Sequence, residues 1–414
     1  MKIAGHLLCA ALRRRFRLAT GARATTSRVG VIVGATALVA AILGTALAQT
    51  AEQKSIDIQR GREKRVKARG EKVHYTNAFD LSGLPKYAPE QNVTGTLRIW
   101  GLNYLTDGKL AKYWEDGFRK HHPGVSFSWF TPTALVAIPG LYSGQADLGA
   151  SRHITFDELL TFQRIFNYSP IEISMVTGSY DVPGWAPADT IVVNNENPIS
   201  KITFNQLDGI FGAQRDGGWN GTAWNAAAAR GPELNIRTWG QLGLTGEWKD
   251  KPIHVYGRPL KYHQQLHIER KIFHGGDKWN ETLREYAHDE TPAGEQKVST
   301  ASLLEDLSKD KYAIAYSNRG YPAESKVKQL AVAEKDGGPY VEMTLETVQN
   351  RTYPLYQEAY FYTTVKPGSA MDPNVKEFLR YVLSQEGQTE VMRDGKYLPL
   401  TAAVVREQMK KLEE

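Results

Sequence analysis

With 414 residues, 41% of them apolar and 23% charged, the chain is long enough for two or three ordinary domains, and its composition excludes general disorder. The net charge of +6 is not a nucleic-acid signal, because seven of the 51 basic residues and none of the 45 acidic ones fall in positions 1–48, leaving 44 against 45 and a net charge of −1. The single cysteine, Cys9, lies in the same segment, which excludes disulfides, thiolate metal sites and a thiol nucleophile from the remainder.

Positions 1–48 read as an export signal. Arg13, Arg14, Arg15 and Arg17 precede the uncharged run VGVIVGATALVAAILGTALA, which closes on the small residues Ala46-Leu47-Ala48. The run is also long enough to span a bilayer, so an uncleaved anchor is the rival expectation. Residues 49–93 are a charged linker and lead-in, polar and without apolar period up to about residue 73.

From Thr94 the pattern alternates between strands and helices. TLRIW is a strand, LTDGKLAKYWEDGFRKHHP a helix that ends at Pro123, VSFSWF a strand, TALVAIPGLYSG a short helix, ADLGAS a buried strand and TFDELLTFQRIF a helix. Helix ITFNQLDGIF follows, then an irregular excursion at 212–250 rich in glycine and tryptophan. PIHVYGR is a strand and PLKYHQQLHIERKIF a helix with Pro259 at its first position. EAYFYTTV is a strand, NVKEFLRYVLSQEGQTEVMRDG one helix, and TAAVVREQMKKLEE the last. Such alternation predicts an α/β fold with largely parallel strands.

Two stretches place charge where a strand ends. In ADLGASRHIT, Arg152 and His153 follow the strand; in VYGRPLKYH, Arg258 does. A guanidinium beside the positive end of a helix suits an oxyanion. His263, His267 and His274 have helical spacing, but no HExxH pattern or companion carboxylate completes a ligand set, so no metal is expected. His121 and His122 sit at a helix end, where positive charge suits the dipole. No GxSxG, P-loop or GxGxxG is present, and no enzyme activity or cofactor is expected.

Taken together, QADLGASRHI, IVVNNENPISKITFNQLDGIFG, IRTWGQLGLTGEWKDKPIHVYGR, YAIAYSNRGY and EFLRYVLSQEGQTEVMRDGKYLPL resemble the phosphate-binding proteins of bacterial ABC importers, over about Phe79 to Leu400. The resemblance implies a type II periplasmic binding fold. Each of its two lobes is a mixed sheet flanked by helices, with the ligand cleft between them. Lobe 1 would be 94–192 plus 355–414 and lobe 2 would be 193–354, with two chain crossings as a hinge.

The resemblance also implies an anion grip at Arg258, followed by a Ser-Gly-Thr triplet whose positions here read Tyr262, His263 and Gln264. The family's proton-accepting aspartate is replaced by Arg152, which favours a more negative or fully ionised ligand. The early donor loop maps onto Thr106 and Thr133. The expected ligand set is therefore Arg258, Arg152, Thr106, Thr133, Tyr262 and His263. A sceptical alternative pairs Arg152 with Asp147 or Glu158 and leaves no anion site.

The reading is a non-catalytic, periplasmic, monomeric solute-binding protein. It takes phosphate or a related small oxyanion, hands it to an ABC permease and has no nucleic-acid partner. The alternative is a non-transport envelope sensing or interaction module on the same fold, which has lost phosphate binding.

Overall fold

The computed structural model describes residues 74–413 apart from 261–263, 295 and 322–323. The expected signal and the charged stretch to residue 73 lie outside the described residues, as do Tyr262 and His263.

Alternation makes the first strand: in GTLRIWG, Leu97 and Ile99 turn inward and are buried, while Thr96 stays exposed. This β1 (Gly95–Gly101) lies at the heart of a sheet with β2 (Val125–Phe130), β3 (Leu148–Ser151), β4 (Ile171–Thr177) and β10 (Glu358–Thr363). The order is β2-β1-β3-β10-β4, with β1 parallel to β2 and β3, and β10 antiparallel to both of its neighbours.

A second sheet repeats the plan. Its members are β5 (Thr190–Asn194), β6 (His254–Gly257), β7 (Arg284–Glu285), β8 (Ala313–Ser317) and β9 (Val327–Gln329), in the order β7-β6-β8-β5-β9. Again the second strand in the order, β6, is parallel to β7 and β8, and the inserted strand, β5, is antiparallel to both neighbours. Each sheet thus borrows its antiparallel strand from the far side of a chain crossing. The fold is the expected two-lobed α/β architecture.

Helices cover the sheets for reasons visible in their sequences. In α1 (Leu110–Arg119), Leu110, Ala111, Trp114, Gly117 and Phe118 form one buried face. Gly117 permits close packing there: a Cβ would lie 1.8 Å from the Tyr381 hydroxyl. Helix α2 (Ala137–Tyr142) packs between β2 and β3 in sequence, and α3 (Phe156–Phe166) opens with a capping box of Thr155 and Glu158. In the second lobe, α4 (Phe204–Phe211) repeats that device with Thr203 and Gln206, and α5 (Gln264–Lys271) and α6 (Ser299–Leu307) flank the sheet. The chain closes with α7 (Pro373–Leu383), α8 (Gln385–Asp394) and α9 (Ala402–Lys410).

Several expectations need correction. The single helix expected over 374–395 is two, because Ser384 is extended and its hydroxyl caps Gly387 at the start of α8. The first helix is interrupted at Gly108, and Asp394 accepts a hydrogen bond from Lys109 N at 2.8 Å where α1 begins. Pro259 is not helical; among the described residues α5 starts at Gln264. His122 is not a charge on a helix end. It is buried against the Tyr87 hydroxyl at 2.7 Å, and burial pushes its pKa down.

Two crossings join the lobes, the first over 178–189 and the second ending at Gln357, just before β10. They bond to each other, Gly178 N donating to Gln357 O at 2.7 Å and Asp189 N to Leu355 O at 3.0 Å. The sequence put the first boundary at 192/193; the second sheet begins at Thr190.

Candidate functional site

In both sheets the three parallel strands run the same way, so their C-terminal ends share an edge, and four of these ends face one another across the cleft. From lobe 1, the exit of β1 delivers Tyr104 and the exit of β3 delivers Arg152. From lobe 2, the exit of β6 delivers Arg258 and the exit of β8 delivers Asn318. All four line one cavity of about 50 Å³. That exceeds the ~10–15 Å³ a single water requires and suits a small ion better than a sugar or peptide.

The backbone at these exits is built for close approach. Gly101, the last residue of β1, has φ +134°, and a Cβ there would lie 1.9 Å from Ala150 O on β3. Any larger side chain would pry the two exits apart.

Arg258 is 3% exposed, yet no ion pair holds it among the described residues. Its Nη2 donates to Thr300 Oγ1 at 2.9 Å and to Asn318 Oδ1. Its backbone N–H donates to the Tyr316 hydroxyl at 3.0 Å, and burial raises that phenol well above its usual pKa, so it stays neutral. A buried guanidinium held only by neutral groups keeps its full charge for whatever enters.

Arg152 lies across the cavity. Its Nη2 donates to Gly184 O at 3.0 Å in the first crossing, and its carbonyl accepts from the Tyr362 hydroxyl at 2.9 Å. The carboxylates that could have neutralised it are engaged elsewhere. Asp147 is bound by Arg98 at 2.5 Å, and Glu158 accepts from Thr155 N at 2.9 Å in its capping box. The sceptical pairing is thereby corrected: sequence proximity put these groups near Arg152, but a neighbouring strand and a helix start claim them first.

The other expected residues fall differently. The Thr106 hydroxyl bonds to Asn103 O at 3.1 Å and the Thr131 hydroxyl at 2.7 Å, and Thr133 precedes a short 3-10 turn. Neither lines the cavity. His267, weighed for metal binding, is buried with its Nδ1 2.8 Å from Asp189.

Residues that sequence reasoning did not select complete the wall. Ser299 and Thr300 open α6 and line the cavity; Val298 offers no side-chain cap, and the Ser299 N–H donates to His288 Nδ1 at 3.2 Å. Gln264, His288, Tyr321 and Gln357 also line it. The strand-then-asparagine pattern of YAIAYSN and the Ser-Thr before an apolar helix were the available signals. No carboxylate lines the cavity among the described residues. Larger grooves of about 770 and 730 Å³ lie elsewhere and contain neither Arg152 nor Arg258.

The arrangement can bind a small anion between two guanidinium groups, a helix start and several neutral donors. Several known proteins are similar to this chain. A family model described as a PBP superfamily domain matches residues 106–386. The phosphate-binding protein PstS of Pseudomonas aeruginosa is 31% identical over 330 residues, covering 80% of this chain and 90% of the relative. Protein SphX of Synechococcus elongatus is 26% identical over 225 residues, covering 54% of this chain and 56% of the relative. The crystal structure of PstS from Borrelia burgdorferi aligns with TM-score 0.46 at 17% identity, covering 74% of this chain and 99% of that one.

Proposed function

This chain belongs to the phosphate-binding protein family of the PBP superfamily, and from that premise we propose that its solute is phosphate or a related small oxyanion, held for an ABC importer. The chain has a solute-binding role. Arg258 is the principal charge partner and Arg152 closes on the ligand from the opposite lobe, while Thr300 and Asn318 hold Arg258 in place. Tyr262 and His263 also contribute to ligand binding. The protein acts without catalysis, as an exported monomer that presents its ligand-closed form to a membrane permease.

One observation carries the reading: two arginines from strand exits of different sheets line one small cavity, and no described carboxylate is paired with either. A decayed site, as the envelope-module alternative requires, would have no reason to keep two like charges uncompensated together. Calorimetric titration with phosphate, sulfate and small carboxylates tests it. Heat of binding for at least one anion, lost in Arg258→Ala, is expected; silence of the wild-type protein toward every anion defeats it.

A further inference from the structure

Asp189 ends the first crossing, and its side chain is fully buried. Three donors from separate elements converge on it. His267 Nδ1 of α5 lies at 2.8 Å, Gln357 Nε2 of the second crossing at 2.8 Å, and Asn318 Nδ2 at the exit of β8 at 3.0 Å. Carboxylate oxygens accept, so each partner turns an N–H toward Asp189.

That requirement fixes both amides. An amide that gives its NH₂ to Asp189 must turn its oxygen away. For Asn318 the oxygen accepts from Arg258 Nη2. Gln357 is 5% exposed and lines the oxyanion cavity, and its Oε1 has no hydrogen-bond partner among the described residues. Gln264 also lines the cavity with an unpartnered Oε1, but no described carboxylate fixes which way its amide faces.

We infer that Gln357 Oε1, locked by Asp189, is the acceptor for a proton carried by the ligand, so the site selects a protonated oxyanion over a fully ionised one. The inference rests on the oxyanion reading above and refines it. The two arginines set how much negative charge the ligand bears; the fixed carbonyl oxygen sets its protonation. Hydrogen phosphate can donate to Oε1. Sulfate can only place an oxygen against an oxygen, leaving both unsatisfied in a buried site. This reverses the preference expected from Arg152 alone. Asp189 is a positioning residue and Gln357 a specificity-determining one.

Titration of the wild-type protein with two protonated anions, phosphate and arsenate, and two fully ionised ones, sulfate and selenate, separates protonation from size. Phosphate and arsenate are expected to bind at least about tenfold more tightly than sulfate and selenate, the factor for one unsatisfied buried polar group. Gln357→Met should narrow that gap about tenfold by weakening only the protonated pair. Asp189→Asn should narrow it too, because an asparagine can donate and lets the Gln357 amide turn over. Equal wild-type affinity for all four, or a Gln357→Met protein weakened equally toward all four, would overturn the proposal. No binding of any of the four refutes the oxyanion reading itself, and this proposal with it.

Discussion

The two lobes share one plan and use it unequally. Both sheets have the same strand order and the same inserted antiparallel strand, so equivalent exits, β3 with β8 and β1 with β6, reach the same cavity. The second lobe delivers Arg258 deeply buried, with one guanidinium nitrogen held by Thr300 and Asn318 and its backbone tied to Tyr316. The first delivers Arg152 half-buried, with one side-chain bond to a crossing carbonyl. Topology decides where a side chain arrives; the local network decides how firmly it is held. On the proposed function, the second lobe is the preformed half of the site, and the first completes it.

The sharpest way to break that contrast is to remove each arginine in turn. Arg258→Ala should lower oxyanion affinity by about 100-fold or more, since truncating a buried, hydrogen-bonded charge costs ~2–5 kcal/mol. Arg152→Ala should cost roughly tenfold, because a less constrained guanidinium contributes less. Equal losses in calorimetry would abolish the distinction between a preformed half and a completing half.

A smaller effect concerns the excursion, which carries a short hairpin over 218–225 back to the first lobe. The Thr222 hydroxyl donates to Gln163 Oε1 at 2.6 Å, and Trp219 lies 4.7 Å from Phe156 on α3. This is one hold of the second lobe on the first, outside the cavity. Trp219→Ala should speed ligand release several-fold while leaving the anion preference unchanged, since one exposed aromatic pair is worth ~0.5–1.5 kcal/mol. Stopped-flow release of phosphate reads this directly, and an altered preference would place the hairpin inside the site.

The last expected effect is on pH. His153, beside Arg152, stacks on His267 of the other lobe with ring centroids 5.9 Å apart. Burial first, then electrostatic repulsion from Arg270, His267, Lys271 and Arg152, holds its pKa well below the usual value. The unfolded chain therefore binds this proton more readily than the folded one. Stability is intact above the unfolded value of about 6.5 and falls as pH drops below it, by at most ~1.4 kcal/mol per pH unit for one proton. Thermal unfolding between pH 7.5 and 5 should show the decline, and His153→Gln should flatten it, leaving the part due to His122.

Legibility differed between fold and site. Alternation in TLRIW and the buried run ADLGAS marked strands correctly, because period and burial are local properties. The strands IEISMVT and TIVVN were not read as such; they are buried almost throughout and carry no alternation to distinguish them. At the site, Arg152 and Arg258 were visible as charges at strand exits. Thr106 does not line the cavity; its hydroxyl is satisfied within its own loop and by Thr131. Gln357 carried no motif, and Asn318 and Thr300 only the weak strand-then-asparagine and Ser-Thr signals, since neutral side chains become informative chiefly through what they face.

The sequence by itself determined the α/β class, the separation of a basic N-terminal segment from a near-neutral body, and the two guanidinium groups, because composition, period and residue type are written along the chain. Only the tertiary structure decided that Asp147 belongs to Arg98, that Arg258 and Arg152 share a cavity, and that Asp189 turns two amides. Hydrogen-bond partners 129 and 168 residues apart are chosen by where the sheets bring them, and no local pattern encodes that choice.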